Sequence, residues 1–172
     1  MIDPFKVIYL PGQPALRGEA WAPREVLAVA TTECLMEVEP PSRERGPVRL
    51  LEEWPLAIGF RNVGDPGFDP QLDDFNIEAL AFVEDSAFEP GDARAEIPAG
   101  KFMSAHHTGP YDTVLPALRA LKAWIEAQGL RPQGAPYQLF PPSPEDLFDR
   151  GFWDTLLVWR ISGSGRPRKR VA

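Results

Sequence analysis

Two carboxylates sit inside apolar, strand-like runs: Glu78 in Phe75-Asn-Ile-Glu-Ala-Leu-Ala-Phe82, and Asp154 in Phe152-Trp-Asp-Thr-Leu-Leu-Val-Trp159. An acid beside aromatic rings can do two kinds of work. Partly desolvated, it attracts a positive charge that the ring faces also attract. Beside a water molecule, it serves as a general base. Other chemistry is thinly supplied. The two histidines, His106 and His107, are adjacent, so in a regular strand they point to opposite faces and cannot hold one metal ion. They read as hydrogen-bonding supports of the turn that follows. The single cysteine, Cys34, excludes a disulfide framework and a cysteine-based zinc site, and reads as a small apolar packer. There is no phosphate-cradling glycine loop and no Gly-x-Ser-x-Gly nucleophile turn. No metal or cofactor is expected.

The elements that must position these residues are written twice. Trp21-Ala-Pro-Arg-Glu-Val-Leu-Ala-Val-Ala30 resembles Glu96-Ile-Pro-Ala-Gly-Lys-Phe-Met-Ser-Ala105, with Pro23 against Pro98. Trp54 and Gly59 are spaced as Trp124 and Gly129, and the run from Phe75 to Phe82 resembles that from Phe152 to Trp159. The three offsets are 75, 70 and 77 residues, in unchanged order. Each half reads as strand, helix, strand, strand. In the second half Gly100 to His107 is the first strand. A helix follows from Asp112 or Thr113, with Leu115, Leu118, Leu121 and Ile125 on one face and Gly129 as its stop. Tyr137 to Phe140 and Trp153 to Ile161 are the remaining strands.

In the first half Glu25 to Thr32 reads as the opening strand and Pro40 to Pro47 as a loop. A short helix is expected from Val48, presenting Leu50, Leu51, Trp54 and Ile58, and Phe75 to Glu84 closes the half. Trp54 and Trp124 then occupy equivalent helix positions as core wedges. The fold class is α+β: a pseudo-symmetric duplication of strand–helix–strand–strand halves, an antiparallel sheet with two helices enclosing a central groove. One domain spans residues 1–172, with repeats at about 20–84 and 95–161 and a flexible basic tail over 162–172.

The stretch Ile97-Pro-Ala-Gly-Lys-Phe-Met-Ser-Ala-His-His-Thr-Gly-Pro-Tyr111 resembles the first strand and turn of the GyrI-like small-molecule-binding domains. These are effector-binding modules of bacterial multidrug-sensing transcription activators, also found as stand-alone proteins. The likeness covers roughly residues 95–161 and is faint over 20–84. It implies a groove for bulky aromatic ligands, cationic ones among them, lined by Phe82, Phe102, Tyr111, Tyr137, Trp153 and Trp159 around Glu78 or Asp154. Some stand-alone relatives are hydrolases of strained, cyclopropane-type electrophiles, which would make Glu78 or Asp154 the general base. SOUL-type haem proteins share the duplicated architecture, but here a haem would rest on the His106–His107 pair alone.

Charge and hydropathy narrow the partners. The 172-residue chain carries a net charge of −7, and setting aside Arg166, Arg168, Lys169 and Arg170 leaves −7 − 4 = −11 on the rest. Such a body repels phosphate backbones, so no direct nucleic-acid binding is expected. The expected partner is a small hydrophobic or cationic aromatic molecule; the sequence identifies no protein partner. No apolar run approaches the ~20 residues of a membrane span, and no secretory signal is read, so a cytoplasmic module acting alone or in trans is expected.

Overall fold

The strand from Phe75 to Phe82 shows the rule that shapes the molecule. Successive strand side chains take opposite faces. Here Phe75, Ile77, Ala79 and Ala81 point one way, while Glu78, Leu80 and Phe82 point the other. Most are fully buried, so both faces of the sheet are covered.

The computed structural model describes residues 5–142 and 153–163. Its strands are β1 (Lys6–Leu10), β2 (Gln13–Ala22), β3 (Leu56–Phe60), β4 (Phe75–Phe82), β5 (Arg94–Ile97), β6 (Gly100–Gly109), β7 (Arg131–Phe140) and β8 (Trp153–Ser162). The helices are α1 (Leu27–Arg45) and α2 (Val114–Ala127), each preceded by one 3-10 turn, Arg24–Val26 and Tyr111–Thr113. The eight strands form one antiparallel sheet in the order β1-β6-β8-β7-β3-β4-β2-β5. Its pseudo-twofold axis runs between β3 and β7, relating β2-α1-β3-β4 to β6-α2-β7-β8. The expected α+β class and the duplication are thus both present. Of the expected basic tail, residues 164–172 lie outside the described residues.

The two lead-in strands are exchanged between the halves. β1 precedes β2 but pairs with β6, while β5 precedes β6 but pairs with β2. Only Pro11-Gly12 separates β1 from β2, and only Pro98-Ala99 separates β5 from β6. Three residue steps reach at most about 11 Å, so the two ends of the sheet must approach one another and the sheet curls. The two links touch: a Cβ on Gly12 would lie 3.5 Å from the backbone nitrogen of Ala99. Both helices cover the outer face, where Leu35, Ile58, Phe60, Ile77, Leu118, Leu121 and Trp159 form one core. The inner face holds a second core of Leu10, Leu80, Phe82, Ile97, Phe102 and Val158. It is plugged by the segment between α1 and β3, whose Leu50 and Trp54 are buried in that core. Trp54 reaches across to pack edge-on against His106 of β6, with ring centroids 6.4 Å apart.

Several expectations about the first half are corrected. The repeat equates Pro11 with Pro98 and Pro23 with Pro110, both 87 residues apart, rather than Pro23 with Pro98. Glu25 to Thr32 belongs to the 3-10 turn and α1, and the opening strand is β2. The stripe that α1 buries is Leu27, Thr31, Cys34, Leu35, Val38, Glu39 and Ser42, more than half of it polar or weakly apolar, so its helical period is faint. Pro40 and Pro41 lie inside α1, not in a loop. They remove the amide donors that would reach the carbonyls of Met36 and Glu37, two residues exposed to water that can take their place. The helix expected from Val48 is absent: Leu50 and Trp54 form an isolated bridge, and Ile58 is on β3. Trp54 and Trp124 are therefore not equivalent, and Trp124 is no wedge: it is 40% exposed and stacks on Phe5 at 5.0 Å.

The central strands meet at a glycine. Gly59 of β3 lies opposite Tyr137 of β7, and a Cβ there would come within 3.0 Å of the tyrosine ring. Gly59→Val is expected to lower stability by about 1–3 kcal/mol through overpacking, read as the urea midpoint. The double variant with Tyr137→Ala should cost less than the two single changes summed. Additive costs would show that the ring is not the obstacle.

Candidate functional site

Strand alternation sorts the candidate residues onto two faces. Glu78, Phe82, Phe102, Tyr137 and Asp154 lie on the inner face, whereas Tyr111 and Trp159 lie on the outer. Trp153 opens β8 opposite Gly109, and its side chain is outside the described set. The structure therefore does not gather the eight into one groove.

On the inner face the acids are engaged by basic side chains. Glu78 is ion-paired with Arg17, which also bonds Glu19 at 3.2 Å. Glu19 in turn accepts from Arg61 at 3.1 Å and from the Asn76 amide at 3.0 Å, and these bonds hold its carboxyl below the usual range. Asp154 is paired with His106. Burial, with the charge of Glu78 adding to it, pushes the Tyr137 hydroxyl up to about 12. Phe82 and Phe102 are fully buried in the inner core.

The outer face carries the groove. Trp159 forms its floor because a bulge in β7 between Gln133 and Tyr137 presents the Gly134 carbonyl to the indole N–H, at 3.0 Å. The loop joining β3 to β4 passes over this ring at Gly64, where a Cβ would stand 3.4 Å from the indole and 3.3 Å from the Gly134 oxygen. Phe68 of the same loop packs edge-on against Phe75 at 5.1 Å. Asn62 ties the loop's ends together, donating to the Asp74 carbonyl at 2.9 Å and accepting from the Asn76 amide at 3.0 Å. Within the loop, the carboxylates of Asp69 and Asp73 accept backbone N–H groups at 2.8 Å.

Between this loop and α2 lie two adjoining compartments. One, of about 170 Å³, is walled by Phe68, Phe75, Trp159, Leu118 and Lys122. The other, of about 310 Å³, extends toward Arg24, Leu27, Tyr111 and Asp112. Pro70, Leu115 and Arg119 belong to both. Tyr111 anchors the wider end through its hydroxyl, 2.9 Å from Thr31 Oγ1 of α1, and burial raises its pKa. Arg119 and Lys122 were not among the sequence candidates. Their signal was present in the helical spacing, since each lies four residues after a groove leucine, Leu115 or Leu118. Aromatic surface beside carboxylates occurs on the other side of the same loop. There Trp21, 63% exposed, borders a shallow depression with Asp65, Asp73 and Asp74.

His107 supports the turn as expected. Thr113 Oγ1 donates to the Pro110 carbonyl at 2.6 Å, so its lone pair accepts from His107 Nε2, 2.7 Å away. The ring is neutral with its proton on Nε2, leaving the buried Nδ1 without a partner. Cys34 is buried, and desolvation lifts its thiol to about 11, which fits a packing role. Among the described residues no cluster of three or more potential ligands could hold a metal, and no helix is long and apolar enough to cross a membrane.

No family model matches the sequence, and no curated protein matches it. Solved structures match at the level of fold. A chain of the EcmrR–DNA complex aligns with a TM-score of 0.70 at 14% identity over 95% of this chain. This chain spans only 58% of that one. The EcmrR C-terminal domain aligns with a TM-score of 0.63 at 15% identity, covering 94% of this chain and 98% of that domain. SAV2435 bound to tetraphenylphosphonium aligns with a TM-score of 0.60 at 9% identity over 94% of this chain and 95% of its own. These likenesses are in fold, and they accord with the GyrI-like resemblance.

Burial holds the pKa of His107 below its ordinary value. As pH falls through about 6.5 the unfolded chain gains this proton, while the buried ring gains it only at lower pH. The unfolded state then binds more protons, so stability falls with falling pH in that window. The thermal midpoint of the wild type should therefore drop more between about pH 7 and 5.5 than that of His107→Gln. Equal drops would remove His107 as the source.

Proposed function

We propose that this chain is a small-molecule-binding protein that takes bulky aromatic compounds into the groove between α2 and the β3–β4 loop. The observation that carries the reading is the apolar floor of Trp159, Phe75 and Phe68 beneath a wall of charged side chains. Aromatic surface supplies affinity, and a few placed polar groups supply orientation. The hydrogen-bonded loop supports it further, because a wall already ordered costs little to order on binding. The fold shared with the EcmrR C-terminal domain and with SAV2435, described with tetraphenylphosphonium bound, points the same way.

A preference for cations, as the GyrI-like resemblance implies, finds its ingredients at Trp21, Asp65, Asp73 and Asp74 rather than in the groove. The hydrolase alternative gains a namesake in a hydrolase from Listeria innocua, with a TM-score of 0.52 at 13% identity, covering 92% of this chain and 91% of its own. Its base, however, would be Glu78 or Asp154, each already engaged by a basic side chain on the inner face.

Thermal unfolding against a panel of two-ring aromatic compounds tests the reading. A ligand at 100 times its dissociation constant adds about 2.7 kcal/mol, which for a domain of this size raises the midpoint by roughly 5–10 °C. Leu115→Trp, which fills the groove, should abolish the shift while leaving the unliganded midpoint within a few degrees. Glu78→Gln should lower the unliganded midpoint and leave the shift intact. A shift lost in Glu78→Gln and kept in Leu115→Trp would move the site to the inner face.

A further inference from the structure

We infer that the groove selects an anion: a lipophilic carboxylate bearing one or two aromatic rings, with its carboxylate on Arg119. This rests on the reading that the groove binds small molecules, and it names the charge of what is bound. Three cations line the two compartments. Arg119 borders both, Lys122 borders the apolar one, and Arg24 reaches the wider one from the first half of the chain. Among the described residues, the carboxylate lining them is that of Asp112, in the wider compartment.

Of the ten described arginines, Arg24, Arg49, Arg119, Arg131 and Arg160 form no ion pair with a described residue, and two of these five line the groove. Arg17, Arg43, Arg45, Arg61 and Arg94 each form an ion pair with a glutamate or aspartate. Arg24, Arg119 and Lys122 form none with any described residue. In a chain of net charge −7, carboxylates outnumber cations, so a groove lined by Arg24, Arg119 and Lys122 against Asp112 reverses the average balance. The acids of the adjoining loop, Asp65, Asp73 and Asp74, border the depression on its other side.

Chemistry then selects the ligand. A ring against the partly exposed Phe68 and Leu115 gains burial, with Phe75 and Trp159 closing the bottom of the groove beneath it. A carboxylate on that ring meets a guanidinium whose fork matches its two oxygens. A cation of the same shape meets three like charges.

The full-length chain should be titrated calorimetrically, in about 50 mM salt, with 2-naphthoate, neutral 2-naphthamide and 2-naphthylmethylammonium. Naphthoate is expected to bind tightest. Arg119→Gln should weaken it by about five- to tenfold, as for a half-solvated charge-assisted bond, and leave the amide unchanged. Raising the salt to about 0.5 M should weaken naphthoate and spare the amide. Because Arg119 is exposed and unpaired with any described carboxylate, its loss leaves the fold intact, and amide binding verifies that. Tighter binding of the ammonium compound, or naphthoate binding indifferent to Arg119→Gln, overturns the anion assignment and leaves the groove. Failure of all three to bind overturns the groove-binding reading itself.

Discussion

Two links of two residues each govern this molecule. Pro11-Gly12 carries the chain from β1, at one edge of an eight-stranded sheet, to β2, next to the opposite edge. Pro98-Ala99 carries it from β5 to β6 in the reverse sense. So short a link cannot cross a flat sheet, because eight strands at about 4.8 Å spacing would separate the edges by roughly 30 Å. The sheet must curl, and curling gives it an inside and an outside of different character. The exchange also makes each half supply a strand to the other.

The two faces differ in packing along the same line. The inside is filled: Leu50 and Trp54 close it over Phe82 and Phe102, and a row of ion pairs from Arg17 to Glu78 and from Arg61 to Glu19 lies on the same face. The outside is covered by two helices, and Thr31 of α1 meets Tyr111 in the turn that leads into α2. Beside that meeting point an ordered loop stands clear of α2, and the space between is the groove. Its polarity comes from the solvent-side edge of α2, where Arg119 and Lys122 follow Leu115 and Leu118 by one turn. An acidic protein thus presents a basic groove, a contrast that net charge conceals.

The second half was legible because its signals are strong and local. Leu115, Leu118, Leu121 and Ile125 repeat at helical spacing, Gly129 takes the positive φ of 77° that ends a helix there, and bulky residues from Trp153 onward make a strand. The first half was misread because α1 buries Thr31, Cys34 and Ser42 where a helix usually buries leucine, and because two prolines sit inside it. Packing against β2 and β4 stabilises it where local propensity does not. At the candidate site, Trp159 and Tyr111 were foreseen as candidates, whereas Phe68 and Arg119 were not. A loop phenylalanine gives no periodic signal, and an arginine on a helix reads as solvated until a wall faces it.

The sequence by itself determined the α+β class, the likeness of the closing strands β4 and β8, the helix α2 with its strands, and the alternation that puts His106 and His107 on opposite faces. Those are local properties: side-chain periodicity, turn chemistry and the steric limits of glycine and proline act over a few residues. Tertiary structure alone decided which half lends its strand to which, and which face of each strand looks inward. It also decided that Glu78 would pair with Arg17. Such outcomes depend on contacts between residues far apart in the chain, as Ser104 and the Lys6 carbonyl, 98 residues apart, are. No local pattern encodes the sign of a curl or the partner of a charge, because both are set when distant strands are brought side by side.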